Sequence, residues 1–137
     1  MNQANKPPVS DTTLPSPVVE QDGESVIMSF DEVSVQSRMR LDDPTALDLD
    51  YSRVMMAFLL IQPQPASILM IGLGGGSLAK YCHRHLPQAR ITVVEINPEV
   101  MAARETFQVP ADGERFSVVQ GDGAAFLAPV NAWLKGE

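Results

Sequence analysis

Three glycines at alternate positions, Gly72, Gly74 and Gly76, follow the apolar run Ile68-Leu69-Met70-Ile71 and precede a helical pattern. Lacking Cβ atoms, this backbone can approach a ligand closely, and the helix that follows offers free N–H groups with partial positive charge. Glu95 ends the next apolar run, Ile91-Thr92-Val93-Val94, on the edge where open parallel sheets bind ligands. A carboxylate there can accept both hydroxyls of a ribose. Loop and acid together suit either a dinucleotide or an S-adenosyl nucleoside. Asp122, flanked by Gly121 and Gly123, separates the two, because it follows the third strand pattern, where a carboxylate can accept the exocyclic amine of adenine. Ser77 also stands where a dinucleotide fingerprint has its third glycine. An S-adenosyl-type ligand is therefore predicted. Asp122 can cap the following helix at the same time.

These residues need a frame to hold them. From Ser67 the chain alternates strand and helix, the order of a parallel sheet covered by crossover helices. Ile68–Ile71 reads as a strand buried on both faces. A helix from the glycine loop to about Leu86 stops at Pro87, and Ile91–Glu95 is the second strand. Asn97 can cap a second helix with Pro98 at its first position, running to about Phe107. Phe116–Val119 is the third strand, leading through Gly121-Asp122-Gly123 into a third helix interrupted by Pro129. Upstream, period-two alternation through Val26, Met28 and Phe30, and again through Val33, Val35, Ser37 and Met39, predicts a β-hairpin. A helix over about Asp50–Ile61 follows, ended by Pro63 and Pro65. Residues 1–22, with Pro7, Pro8, Pro15 and Pro17 among polar residues, read as a disordered tail. The predicted organisation is tail 1–22, hairpin and helix 23–65, and a partial Rossmann-like nucleoside-binding domain 66–137.

Composition limits the alternatives. The chain has 137 residues, 45% hydrophobic and 20% charged, which suits one packed domain. Its net charge of −7 argues against nucleic acid, which calls for clustered Lys and Arg. The longest unbroken apolar run, Val54–Ile61, is far short of a membrane span, and the N-terminus lacks a secretory pattern. The single cysteine, Cys82, forms no internal disulfide, so a cytoplasmic setting is expected. His83 and His85 point to different faces of one helix, so no metal site is expected.

The stretches ILMIGLGGGSLAKY (68–81), ITVVEINPEV (91–100) and VVQGDGAAFL (118–127), with VQSRMRLDD and DYSRVMM upstream, resemble the polyamine aminopropyltransferases, or spermidine synthases. The resemblance covers about residues 26–128 and implies an N-terminal β-hairpin unit followed by a Rossmann-like, class I S-adenosylmethionine-binding sheet. It implies that the loop Gly72, Gly74, Gly75, Gly76 and Ser77 cradles decarboxylated S-adenosylmethionine. Glu95 would hold the ribose, and Asp122 with Gly123 the adenine. Gln36 would lie near the sulfonium and the amine, and Tyr51 matches a family tyrosine. The implied reaction moves an aminopropyl group to a small-molecule polyamine such as putrescine. Gly75 stands where the family's loop usually carries an acid, which keeps two alternatives open: a methyltransferase using intact S-adenosylmethionine, or a non-catalytic nucleoside-binding domain. The family's catalytic acid follows a fourth strand, so it is expected beyond Glu137, and the chain reads as truncated after its third βα unit. In that fold the first strand is central. Left without its neighbour it becomes an apolar edge, from which a homo-oligomer is predicted.

Overall fold

The structure is a computed structural model that describes residues 13–136. Strands β1 (Val18–Asp22), β2 (Ser25–Ser29) and β3 (Val35–Arg40) form an antiparallel sheet in that order. Val26 and Met28 on β2, and Ser37 and Met39 on β3, face inward, following the expected period of two. The β2–β3 turn is held by the Asp31 carboxylate, which accepts the N–H groups of Val33 at 2.9 Å and Ser34 at 2.6 Å and is thereby pulled below the usual carboxylate range.

Strand β1 corrects the tail reading at residues 18–22. Asp22 pairs with Ser25, leaving Gly23-Glu24 as a two-residue hairpin turn, and Gly23 has φ +61° at the position where such turns take glycine. The Asp-Gly turn signal was masked by the prolines before it. Residues 1–12 of the expected tail lie outside the described residues.

Helix α1 (Asp50–Met55) is shorter than expected, and the chain tightens into a 3₁₀ helix over Met56–Leu60 ahead of Pro63. Three parallel strands then follow in the order β4 (Ser67–Ile71), β5 (Arg90–Glu95), β6 (Phe116–Gln120), with in-register pairs Ile71–Val94 and Glu95–Gln120 at their C-terminal ends. The fold is α/β and Rossmann-like, preceded by the hairpin sheet. Helix α2 (Ser77–His85) crosses from β4 to β5. Arg115 closes its C-terminal end by donating to the carbonyls of His83, Leu86 and Ala89.

Helix α3 (Pro98–Ala102) begins as expected, with the Asn97 side chain accepting the Glu99 N–H at 3.0 Å and Pro98 in the first turn. It stops before the predicted Phe107. Phe107 is instead buried beneath the glycine loop, and its carbonyl accepts the Lys80 ammonium at 2.8 Å, so residues 103–108 pass through tight turns to Gln108 at φ +54°. Helix α4 (Gly123–Leu134) runs through Pro129 rather than breaking there. Proline removes one backbone bond, and the flanking turns carry the helix past it.

One cluster of buried side chains joins both sheets: Val26, Met28 and Met39 pack with Ile91, Val93, Val100, Phe107, Phe116 and Val118. Strand β5 is central. Strand β4 is an edge, and it is not buried on both faces as its apolar run predicts: Leu69 and Ile71 are exposed. Among the described residues β5 is the one strand paired with β4, and Leu69 and Ile71 stay open to solvent.

Candidate functional site

The glycine loop takes its shape from backbone demands at alternate positions. Gly72, Gly74 and Gly76 have φ of +89°, +55° and +72°, a region costly for residues with a Cβ. Gly75 is not left-handed. It is glycine for space: a Cβ there would stand 2.7 Å from Ser37 Cβ and 2.9 Å from Phe107 Cδ1. The Gly75 N–H donates to Ser37 Oγ at 2.8 Å, so strand β3 grips the loop from the side of the hairpin sheet.

Glu95 is buried at the end of β5. Its Oε2 accepts the Leu73 N–H at 2.7 Å and its Oε1 accepts the Asn97 N–H at 3.0 Å. Two backbone donors stand in for lost water around a buried charge. One carboxylate thereby joins the glycine loop to the start of α3. Neighbouring loops are tied as well, through Gly72 N–H to Val94 O at 2.8 Å and Gly121 N–H to Glu95 O at 3.0 Å. The ends of β4, β5 and β6 therefore share one rim.

A cavity of about 780 Å³ opens at this rim. Gly72, Gly74, Ser77, Glu95, Gln36 and Tyr51 line it together, so six of the sequence-predicted residues meet there. Tyr51 is fixed by donating its hydroxyl to the Gln36 carbonyl, which joins α1 to β3. The remaining wall is mostly apolar, with Phe30, Met55, Met56, Ile68 and Met70. Gly75, Gly76, Asp122 and Gly123 do not line it. Gly75 faces Ser37, Gly76 packs toward Val109, and Gly123 packs against Ile71. The exposed Asp122 sits one residue beyond Gly121 on the same rim, with its carboxylate accepting the Ala124 N–H at 2.9 Å as the cap of α4.

Two residues around the loop escaped the sequence reading. Ser37 is a polar residue on the inward set of β3, between Val35 and Met39, and that misfit was the available signal. Lys80 is buried in α2 with its ammonium on the Phe107 carbonyl, and burial lowers its pKa to about 8. Its register on the buried face beside Ala79 and Cys82 could have marked it. Burial likewise raises the Cys82 thiol to about 11, leaving it a protonated packing residue. Arg53 turns away from the cavity to Asp50 and the Leu47 carbonyl. Among the described residues no group of His, Cys, Asp and Glu could hold a metal ion, and no helix is long and apolar enough to cross a membrane.

No family model matches the chain. The polyamine aminopropyltransferase of Chromobacterium violaceum is 44% identical over 115 residues, 83% of this chain. Over that stretch the chain is similar to the polyamine aminopropyltransferases. It spans 44% of the length of that relative. The spermidine synthase of Thermotoga maritima matches 83% of this chain and 44% of its own with a TM-score of 0.58 at 17% identity, which supports the fold. Human methyltransferase-like protein 13, solved in complex with SAH, matches 60% of this chain and 40% of its own at 29% identity and a TM-score of 0.53. The aminopropyltransferase likeness and the methyltransferase likeness therefore converge on one Rossmann-like frame.

Proposed function

We propose that this chain binds the adenosine part of an S-adenosyl sulfonium at the rim of β4–β6 and presents it as aminopropyl donor to a polyamine. The observation that carries the reading is the buried Glu95 carboxylate, bonded to Leu73 of the glycine loop at the mouth of a cavity that Gln36 and Tyr51 also line. A carboxylate has about four lone-pair sites, and two backbone N–H groups leave capacity for ribose hydroxyls. Asp122 on the neighbouring loop would meet the adenine amine with its free acceptor capacity. Gln36 would face the sulfonium end. Likeness to the aminopropyltransferase of Chromobacterium violaceum supports decarboxylated S-adenosylmethionine as the donor.

In the reaction so proposed, an amine nitrogen attacks the carbon beside the sulfonium. The new C–N bond forms as the C–S bond breaks, its electron pair passes to sulfur, and methylthioadenosine leaves as a neutral thioether. The amine must shed a proton to react, which calls for a free carboxylate. Among the described residues lining the cavity Glu95 is the one carboxylate, and both of its oxygens hold backbone N–H groups. This chain's residues thus account for donor binding and orientation.

The same observation favours a second reading, methyl transfer from intact S-adenosylmethionine, since the cavity offers a donor's cationic tail no unengaged acid. The human methyltransferase-like neighbour supports that reading. Calorimetric titration tests both. Binding of methylthioadenosine is expected in either case, and tighter binding of the decarboxylated than of the intact sulfonium supports aminopropyl transfer. The reverse preference supports methyl transfer, and silence with every adenosyl compound rejects the site.

A further inference from the structure

Lys80, the fourth residue of α2, is buried, and it does not line the cavity. Burying an ammonium is costly, and a cation near a helix N-terminus runs against the helix dipole. An apolar side chain of similar volume would fill the place at lower cost. What the lysine adds is a hydrogen-bond donor of fixed reach. Helical side chains lean toward their own N-terminus, which carries this ammonium back from α2 to the Phe107 carbonyl at 2.8 Å.

That carbonyl belongs to the turn on which the glycine loop rests. A Cβ on Gly75 would meet Phe107 Cδ1 at 2.9 Å, and one on Gly76 would meet Val109 Cγ2 at 2.5 Å. Two successive loop residues therefore sit on two residues of a single turn, 103–109. Gly74 and Ser77, on either side of them in sequence, line the cavity, so a shift of the turn reaches the ligand-facing backbone. The turn is not self-sufficient, because Gln108 takes a left-handed φ of +54° that a side chain disfavours. Arg104 fastens its end by donating to the Pro110 carbonyl at 2.6 Å and to the Asp112 carboxylate at 2.9 Å. The same carboxylate accepts the Val118 N–H of β6 at 3.1 Å. Lys80 is the fastening that ties the turn to the helix the loop opens.

We propose that Lys80 is a positioning residue for the adenosyl site, holding the 103–109 turn beneath Gly75 and Gly76 and so fixing the backbone shape that the loop offers a ligand. The proposal rests on the reading of this rim as an adenosyl site, and it adds the residue that sets the loop's shape.

Calorimetric titration of methylthioadenosine into the whole chain, with the Gly74–Gly76 amide resonances followed by NMR, tests it. Lys80→Met keeps the length of the side chain and removes the donor, whereas Lys80→Arg keeps a donor. The methionine variant should bind about 2- to 30-fold more weakly with unchanged circular dichroism, and its loop resonances should be displaced before any ligand is added. The arginine variant should recover most of the affinity. Phe107→Leu keeps the carbonyl and removes the ring beneath Gly75, so it should weaken binding in the same way, and it carries the test if the methionine variant does not fold. A lysine that only packs would change melting and leave the affinity and the loop resonances of the folded chain alone. Wild-type affinity in the variants that remove the donor or the ring, unmoved loop resonances, or an arginine variant no better than the methionine one overturns this proposal by itself. A wild-type chain that binds no adenosyl compound overturns the site reading and this proposal with it.

Discussion

The Ser37 hydroxyl accepts the Gly75 N–H at 2.8 Å, so a residue of the antiparallel hairpin sheet holds the glycine loop of the parallel one. Both groups are buried. Ser37→Ala would leave a buried donor without this acceptor, at a cost of about 1–3 kcal/mol. Urea denaturation followed by circular dichroism measures it, and an unchanged midpoint would show that the bond contributes nothing.

Gly75 is confined on two sides, by Ser37 Cβ at 2.7 Å and Phe107 Cδ1 at 2.9 Å from a built Cβ, whereas nothing lies within 4 Å of one on Gly113. Gly75→Ala should destabilise the chain by about 1–3 kcal/mol through overpacking. Gly113→Ala should stay within about 0.5 kcal/mol of wild type. Equal melting of the two variants would show that the space around Gly75 is not limiting.

Burial sets the Lys80 pKa at about 8 in the folded chain, against an ordinary 10.5. Between these values the unfolded chain binds more protons, so this residue makes stability rise as pH rises through the window. Cys82 works oppositely, because its folded value of about 11 exceeds the ordinary 9.0 and its contribution is lost as pH climbs between them. The difference between wild type and Lys80→Met isolates the lysine. Wild type should gain on the variant from pH 8 upward, and parallel pH profiles would place the ammonium in a hydrated setting.

Asp122 caps α4 through the Ala124 N–H at 2.9 Å. Asp122→Ala should cost about 0.5–2 kcal/mol of stability and Asp122→Asn much less, because asparagine is an equally good cap. Equal losses from the two substitutions in thermal melts would point to the charge, rather than the cap, as the stabilising feature.

Local signals made much of the frame legible from the residues alone. Alternating glycines at 72, 74 and 76 coincide with the three left-handed backbone positions, and Asn97-Pro98 opens α3 as its residue types require. What stayed hidden depends on contacts between distant parts of the chain. The need for glycine at 75 comes from Ser37 and Phe107, neither adjacent in sequence. The early end of α3 follows from Phe107 being drawn beneath the loop and its carbonyl held by Lys80. The apolar run of β4 is a related case: it records that the strand avoids water, and does not say which partner keeps water away. Of the candidate site, Gly72, Gly74, Ser77, Glu95, Gln36 and Tyr51 converge on one cavity, while Asp122 reaches the rim only through its loop.

Calorimetric titration of methylthioadenosine into wild type, Glu95→Ala and Asp122→Ala, each checked for folding by circular dichroism, addresses the adenosine site most directly. The wild-type chain should bind, and each substitution should weaken binding by about 1–3 kcal/mol. A wild-type chain that takes up no ligand, or two variants that bind as well as it does, would contradict an adenosine site at this rim.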